Sequence, residues 1–229
     1  MEIYKAEDTI AKVPVKAARP RRRIPVHAVR PGISDWHSSF WKRSFDILLS
    51  AFLVVALLSW VYLILGILIK INSRGPVLFI QKRVGKAGKV FNCYKFRTMH
   101  VNDVSEVKPA FANDARITSP GRVLRISHLD ELPQLVNILK GDMSFIGPRP
   151  HMIHDDNLFA LFHPNYNLRK NVRPGLTGLA QIKGYHGFAD NYSISCRTKM
   201  DIFYISKASA SLDVKILFTT LLLPLFKKY

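Results

Sequence analysis

The sequence has only two cysteines, Cys93 and Cys196, among its 229 residues. Two cysteines this far apart cannot staple a disulfide-rich secreted scaffold. They also show none of the close spacing that structural metal sites use. The scarcity of cysteine therefore predicts a protein that works in a reducing environment, at the cytoplasmic face.

Acidic residues are also scarce. The chain has 16 Asp and Glu residues against 34 Lys and Arg residues, which gives a formal net charge of +18. A surface this positive attracts polyanions such as nucleic acid, anionic lipid headgroups or phosphorylated substrates. Because apolar residues make up 48% and charged residues only 22%, the composition excludes wholesale disorder. The length fits one compact domain of catalytic size with attachments.

The first 38 residues lack any sustained apolar periodicity. They contain four prolines and a basic run, namely Pro14, Pro20, Pro25, Pro31, Arg19, Arg21, Arg22 and Arg23. No apolar core follows the basic stretch, so this is not a secretory signal, and we predict a mobile arm over residues 1–38. Each arginine would contribute about 1 kcal/mol at an anionic bilayer. A solvated leader that binds nothing explains the composition equally well.

Charge is absent from residues 47–69, a run of 23 residues. As a helix this run would extend ~35 Å, at ~1.5 Å per residue, which is enough to cross a bilayer. Basic residues flank both ends, with Lys42 and Arg43 before the run and Lys70 after it. A simple spanning helix shows only one cationic side. We therefore predict that residues 39–72 form a re-entrant membrane-embedded helix, with a spanning helix and a buried core helix as alternatives. Ser59 could bend it by bonding back to the preceding turn.

The remaining residues, 73–229, are predicted to form a cytoplasmic catalytic domain. Two short β-rich runs between residues 76 and 97 surround a glycine turn and predict a hairpin. After a polar loop over residues 100–120, apolar positions recur at helical spacing from Val123 to Leu139. This pattern predicts one amphipathic helix, or two short helices broken near Pro133.

Two further helical turns are predicted over residues 158–162 and 198–206. The apolar stretch 216–226 is too short to span a bilayer and is expected to lie in the interface or to pack on the core. The fold class is therefore α+β and mainly helical, with a membrane-embedded N-terminal helix, interfacial amphipathic helices and a small β-hairpin region.

Two adjacent carboxylates, Asp130 and Glu131, stand near the start of the predicted helix. In the structural interpretation Asp130 caps the helix and Glu131 complements its dipole. In the functional interpretation, the surrounding cations Arg116, Arg122, Arg125 and Arg149 hold a phosphate against the carboxylates. An ionised Asp is a competent nucleophile toward phosphorus, and a neighbouring Glu can hold Mg²⁺.

Three other groups could bind anions or metals. Pro148 and Pro150 restrict the backbone around Arg149, which suits a phosphate clamp or simply a rigid surface turn. Lys95 and Arg97 are two apart on the second hairpin strand, so both are expected to point toward one anion or toward lipid headgroups.

The turn after Arg173 carries paired glycines and Gln181, which is weak evidence for a ligand site. A cluster of His151, His154, Asp155 and Asp156 is similar to a metal site. No third His or Cys ligand lies nearby, which argues against a transition metal.

These motifs, in this order, resemble the bacterial sugar transferase family, the monotopic polyprenyl-phosphate sugar-1-phosphate transferases that start exopolysaccharide, O-antigen and glycan assembly. The resemblance runs from Lys42 to the C-terminus. Its segments are Lys-Arg-Ser-Phe-Asp at 42–46, Gly-Pro-Val at 75–77, Tyr-Lys-Phe-Arg-Thr-Met at 94–99, Leu-Asp-Glu-Leu-Pro-Gln-Leu at 129–135, Lys-Gly-Asp-Met-Ser at 140–144, Gly-Pro-Arg-Pro at 147–150 and Arg-Pro-Gly-Leu-Thr-Gly at 173–178.

The resemblance implies a two-step reaction. Asp130 would attack the β-phosphate of a UDP-sugar and expel UMP, and polyprenyl phosphate would then displace Asp130. Glu131 would help to bind the cofactor Mg²⁺. Lys95, Arg97, Arg125, Arg149, Arg173 and Gln181 would contact phosphate or nucleotide. The resemblance is strongest to undecaprenyl-phosphate glucose phosphotransferases, and Gly-Tyr-His-Gly at 184–187 is similar to the branch that transfers glucose or galactose phosphate.

The resemblance also implies a place in the cell, the bacterial inner membrane, with the catalytic domain on the cytoplasmic face. The expected partners are the UDP-sugar, polyprenyl phosphate and anionic membrane lipids, and a homo-oligomer is compatible with them. The family has Ser-Pro at the bend of a re-entrant helix, whereas this chain has Ser59-Trp60 there and lacks the proline.

Two other functions compete with the transferase. A nucleic-acid-binding protein would explain the charge, but it gives no purpose to the apolar run, and the basic residues match no nucleic-acid-binding motif. A membrane-attached scaffold with an inactive dyad is the second alternative. It leaves the retention of both carboxylates and Arg149 unexplained.

Overall fold

A computed structural model of the chain describes residues 32–101, 114–185 and 191–226. Most of the predicted arm and part of the predicted polar loop fall outside these ranges. In chain order the described elements are α1 (Phe40–Asn72), β1 (Leu78–Val84), β2 (Val90–Phe96), α2 (Ser119–Ile126), α3 (Gln134–Lys140), β3 (Ser144–Ile146), α4 (Ile153–Phe162), β4 (Gly175–Thr177), α5 (Leu179–Ile182), α6 (Asn191–Lys207) and α7 (Ala210–Phe226). The expectation of a mainly helical α+β chain with small sheets is confirmed.

The apolar run forms the long helix α1, which is long and apolar enough to cross a membrane by length and composition. Its middle, Val54–Leu58, is wound as a π-helix between two α-helical halves. The Ser59 hydroxyl donates to the carbonyl of Val55 at 2.6 Å, which is the back-bond expected of this residue. A π segment and a serine that bonds to the preceding turn are both recognised causes of helix bending.

The first half of α1 is fixed to the rest of the chain by charged side chains. The ammonium of Lys42 lies 2.6 Å from the carboxylate of Asp213 in α7, and both groups are buried. Arg43 donates to the last carbonyls of α3 at Ile138 and Leu139. Lys42 and Arg43 therefore bind partners inside the protein, and their charges are not directed at lipid headgroups beside the apolar run.

The second half of α1 packs on the hairpin and on α2. Leu58 and Ile69 are buried with Phe96 of β2 and Leu124 of α2. Past the helix end, the guanidinium of Arg97 donates to the carbonyls of Ser73, at 2.8 Å, and of Arg74. Both ends of α1 are thus held by the same folded unit.

The predicted hairpin is confirmed. Strands β1 and β2 pair antiparallel, with Gln81 opposite Cys93, and a short turn at Lys86–Gly88 joins them. The amphipathic run after Gly121 forms two short helices, α2 and α3, which was the second of the two alternatives predicted. The helices are separated by residues 127–133, so the break begins before Pro133.

A second, parallel sheet joins β3 to β4. Gly147, which follows β3, and Gly175, the first residue of β4, allow the two backbones to touch, because a Cβ on Gly175 would lie 2.1 Å from the nitrogen of Gly147. These glycines serve backbone packing, and the suggestion that they open space for a ligand is not needed to explain them. The main core surrounds this sheet and includes Leu135, Ile138 and Ile146.

The described part of the predicted arm, residues 32–38, is folded against the domain. Asp35–Ser38 form a 3-10 turn, Ser34 donates to the carbonyl of Ala208, and the indole of Trp36 donates to Asp213. These side chains therefore have partners far along the chain, at Ala208 and at Asp213 of α7, while the boundary of the arm at residue 38 stays a prediction. Helix α7 packs Ile216 into the core and leaves Phe218 exposed.

Candidate active site

The two adjacent carboxylates lie in a tight turn between α2 and α3. The turn Leu129–Glu131 is a 3-10 helix, and it follows His128, whose φ of 58° places it in the left-handed region. Positive φ is uncommon outside glycine, although histidine adopts it more readily than most residues. This reversal ends α2 and turns Asp130 and Glu131 toward the hairpin and the loop that follows β3.

Glu131 is bound by two cations from distant parts of the chain. The ammonium of Lys95 on β2 lies 2.9 Å from Oε1. Arg149 contacts both oxygens, with Nη1 at 3.1 Å from Oε2 and Nη2 at 2.5 Å from Oε1. Burial opposes ionisation of this carboxyl, but the charges of Arg149 and Lys95 prevail and hold its pKa well below its usual range. Glu131 is therefore a carboxylate that organises two cations at one point.

Asp130 is the opposite case. Its side chain is buried, and within the described part of the chain no hydrogen bond to its carboxylate is found. Burial raises the pKa of Asp130, Lys95 opposes that rise, and the neighbouring Glu131 charge adds to it. A carboxylate that is poorly solvated and not committed to a donor keeps its lone pairs for a reacting atom, which is what a nucleophile needs.

Arg125 completes the cationic surroundings of the dyad. It extends from the last turn of α2, and its Nε donates to the hydroxyl of Thr98 at 2.8 Å. Burial lowers the pKa of Arg125, while the nearby charge of Asp130 acts in the opposite direction. The structure thus brings together five of the predicted residues: Lys95, Arg125, Asp130, Glu131 and Arg149.

Three predicted residues point elsewhere. Arg97 binds the end of α1, because it lies one residue beyond the end of β2, where strand alternation with Lys95 no longer applies. Arg173 donates to the carbonyl of Gly141 at 3.1 Å, and Gln181 donates to the carbonyl of Leu176 at 3.0 Å. Their part in binding phosphate stays a prediction that the geometry does not support.

Arg83 is a residue of the site that the sequence analysis did not identify. It lies on β1, interacts electrostatically with Arg149 and Glu131, and donates to the carbonyl of Pro150 at 2.5 Å. In the sequence, Arg83 is recognisable only as a basic residue on a predicted hairpin strand. In the structure it lies opposite Phe91. The signal in the sequence is weak, because basic residues are common along both strands.

Within the described residues, the side chains of His151, His154, Asp155 and Asp156 are not gathered into a metal-binding group. His151 is buried and contacts the hydroxyl of Tyr166 and the guanidinium groups of Arg169 and Arg197. Burial, followed by these two arginines, lowers its pKa well below the usual range. In the ranges that the structure describes, no group of three or more His, Cys, Asp or Glu side chains is placed to hold a metal ion.

The donor set at the dyad does fit a hard cation that substrate helps to bind. Magnesium keeps several waters and is commonly held by one or two carboxylates together with substrate phosphates. Among the described residues, none donates to the oxygens of Asp130, and only Arg149 donates to Oε2 of Glu131. Two adjacent carboxylates with spare lone pairs meet that requirement without a third protein ligand.

The chain is similar in sequence to a known protein family and to several of its relatives. The family model of the bacterial sugar transferases matches residues 37–227. A UDP-glucose:undecaprenyl-phosphate glucose-1-phosphate transferase of Klebsiella pneumoniae is 43% identical over 183 residues, which cover 79% of this chain and 39% of that protein. A protein of the same name from Caulobacter vibrioides is 42% identical over 181 residues, which cover 78% of this chain and 67% of that protein.

A third relative is similar in length to this chain. The exopolysaccharide production protein PSS of Rhizobium leguminosarum bv. phaseoli is 44% identical over 187 residues, which cover 78% of this chain and 92% of that protein. The chain therefore spans well under half of the Klebsiella relative but nearly all of the Rhizobium one. The matched region includes every described element from α1 to α7 and the whole of the dyad site. The chain belongs to the bacterial sugar transferase family.

Proposed function

We propose that this chain is a phosphoglycosyl transferase that moves a sugar 1-phosphate from a UDP-sugar to undecaprenyl phosphate. The observation that carries the proposal is the carboxylate of Asp130, which accepts no hydrogen bond from the described residues. It lies beside Glu131, which binds both Lys95 and Arg149. Relatives named as undecaprenyl-phosphate glucose-1-phosphate transferases support the substrate class. A role in exopolysaccharide synthesis is supported by the name of the Rhizobium relative.

The proposed reaction has two steps, and both occur at Asp130. An oxygen of Asp130 attacks the β-phosphorus of the UDP-sugar, the bond from that phosphorus to the bridging oxygen breaks, and UMP leaves with the electron pair. The sugar phosphate is then an acyl phosphate on Asp130. An oxygen of undecaprenyl phosphate attacks the same phosphorus and displaces Asp130, which yields undecaprenyl diphosphate-sugar and the free carboxylate.

The cations supply electrostatic stabilisation for both steps. Arg149 has 28% of its side chain exposed, so its guanidinium can reach a diphosphate while it still contacts Glu131. Lys95 and Arg125 approach Asp130 closely enough to oppose the rise in its pKa. Fixed charges aimed at a phosphorus centre lower the barrier because they are already in place when negative charge develops. When bound, Mg²⁺ would be held by Asp130 and Glu131 and would neutralise charge on the diphosphate.

The contacts of α1 favour the re-entrant arrangement. Lys42 at one end and Ser73 at the other both bind the same folded unit, which supports an arrangement with both ends on one side of a bilayer. The opposite face of the helix is apolar and exposed, and it includes Phe52, Val55 and Trp60. We propose that this face enters the cytoplasmic leaflet of the inner membrane and leaves by the same leaflet. The dyad would then lie where a soluble nucleotide meets a membrane-bound acceptor.

The test is release of UMP by detergent-purified protein supplied with UDP-glucose or UDP-galactose, undecaprenyl phosphate and Mg²⁺. We expect Asp130→Asn to abolish release, because the amide keeps the shape of the side chain but is not a nucleophile. Intact-protein mass after rapid mixing with donor alone should show an added hexose phosphate in the wild type and none in the variant. Normal turnover in Asp130→Asn would contradict the mechanism. A wild-type chain that releases no UMP with any UDP-sugar would favour the scaffold alternative.

A further inference from the structure

The backbone around Arg149 is held by hydrogen bonds from four donors in three parts of the chain. The carbonyl of Pro148 accepts from the nitrogen of Gly175 at 3.0 Å, and the carbonyl of His151 accepts from the nitrogen of Val84 at 3.1 Å. Between them, the carbonyl of Arg149 accepts from Arg169 at 2.7 Å and that of Pro150 accepts from Arg83 at 2.5 Å. Four consecutive carbonyls are therefore bound from outside the turn.

This arrangement follows from the composition of the turn. Pro148 and Pro150 have no N–H group, so the segment has few donors with which to form a regular internal hydrogen-bond pattern. Buried carbonyls still need partners. Arginine is suited to supply them, because its planar group presents several donors in fixed directions.

Each of the two arginines is itself oriented by a third residue. Arg169 is buried, and its Nε donates at 2.7 Å to Asp201 of α6, which is buried as well. Arg83 donates through Nε and Nη2 to the amide oxygen of Gln81 at 3.1 and 2.8 Å. The support for the turn thus reaches from β1 on one side to α6 on the other.

The backbone and the side chain of Arg149 are in different situations. Its carbonyl accepts a hydrogen bond from Arg169, whereas its guanidinium is partly exposed and contacts Glu131. We propose that Arg169 and Arg83 are positioning residues, which act on the reaction only through the place they give to Arg149. This inference rests on the proposed transferase function. A displacement of about 1 Å at a positioned catalytic group can reduce a rate on the order of 100-fold.

The decisive experiment is a double-mutant cycle on kcat/KM for UMP release. Arg169→Lys keeps the charge, but a single ammonium cannot bind both Asp201 and the carbonyl of Arg149 as the guanidinium does. We expect kcat/KM to fall about 100-fold, mainly through kcat. In an Arg149→Ala background the same substitution should change kcat/KM less than about twofold, because the group that it positions is gone. Equal losses in both backgrounds would overturn the inference.

Arg83→Lys provides an independent arm, since Arg83 is less buried than Arg169 and its loss is easier for the fold to tolerate. It should show the same dependence on Arg149. The matched control is Arg43→Lys. Arg43 also donates to two backbone carbonyls, but these belong to Ile138 and Leu139 of α3 and not to the proline turn. The control should lower thermal stability and leave kcat/KM per folded molecule unchanged. A wild-type enzyme without UMP release would instead refute the proposed function itself.

Discussion

At the scale of single residues, two neighbouring carboxylates have opposite electrostatic situations. Asp130 is buried and accepts no hydrogen bond from the residues that the structure describes, and its pKa is raised, first by burial. Glu131 is also largely out of solvent, with 12% of its side chain exposed, yet Arg149 and Lys95 overcome the effect of burial and lower its pKa. The fold therefore disfavours the ionised form of Asp130 and favours the ionised form of the next residue, Glu131.

This contrast predicts opposite effects of two isosteric substitutions on stability at pH 7. Asp130→Asn should raise the melting temperature or leave it unchanged, because it removes an unfavourable buried charge. Glu131→Gln should lower stability by about 3–5 kcal/mol, because Lys95 and Arg149 then lose their buried partner. Thermal unfolding in detergent, followed by circular dichroism, measures both, and a loss of stability in Asp130→Asn would contradict the assignment.

The pH dependence supplies the control for that prediction. With a raised pKa, native Asp130 binds more protons than the unfolded chain, so its contribution to stability falls as pH rises through the native pKa. The advantage of Asp130→Asn should therefore vanish in acid, where Asp130 is protonated in both states. The Glu131 ion pairs act in reverse, since their contribution is present above the usual pKa of glutamate and is lost as pH falls through the lowered one.

At the scale of elements, the contact between the turn after β3 and strand β4 decides whether the site is assembled. Gly147 and Gly175 meet at backbone distance, and this contact sets the proline turn beside the sheet. A side chain at either position would push the two segments apart. The turn that carries Arg149 is thus placed by a backbone contact between two glycines.

We expect Gly175→Ala to destabilise the protein strongly, because its Cβ would lie 2.1 Å from the nitrogen of Gly147 and 2.4 Å from the carbonyl oxygen of Thr177. The loss should exceed about 2 kcal/mol, as for other substitutions that overpack a buried contact. Gly32→Ala is the matched control, since nothing lies within 4 Å of its added methyl group. Equal melting temperatures for the two variants would show that the close contact does not hold in solution.

At the scale of the whole molecule, α1 joins an exposed apolar surface to the folded domain that carries the dyad. Its buried face carries Lys42 and Ile69 into the protein, while its outer face exposes Phe52 and Trp60. A helix that only crossed a bilayer would contact the domain at one end. The contacts at both ends are the physical reason for the re-entrant proposal.

Cysteine labelling tests that topology. In a Cys196→Ser background, Ser38→Cys and Arg74→Cys place exposed thiols at the two ends of α1, while buried Cys93 serves as an internal control that reacts only after unfolding. We expect an impermeant maleimide to label both sites in inverted membrane vesicles and neither site in intact cells. Labelling of one site in intact cells would establish a spanning helix.

The sequence by itself determined the features that depend on neighbours along the chain. The uncharged run over residues 47–69, the hairpin and the pair Asp130 and Glu131 are local patterns, so periodicity and adjacency were enough to find them. The ordered motifs also sufficed to indicate the family. The position of the break between α2 and α3 was less accurate, because it depends on the left-handed conformation of His128.

Only the tertiary structure decided which cations serve the dyad. Lys95 and Arg149 reach Glu131 from different elements, whereas Arg97, two residues from Lys95, binds the end of α1. The buried pair of Lys42 and Asp213 joins residues at opposite ends of the described chain. Sequence spacing cannot select among many basic residues, because the selection is made by distance and burial after the chain has folded.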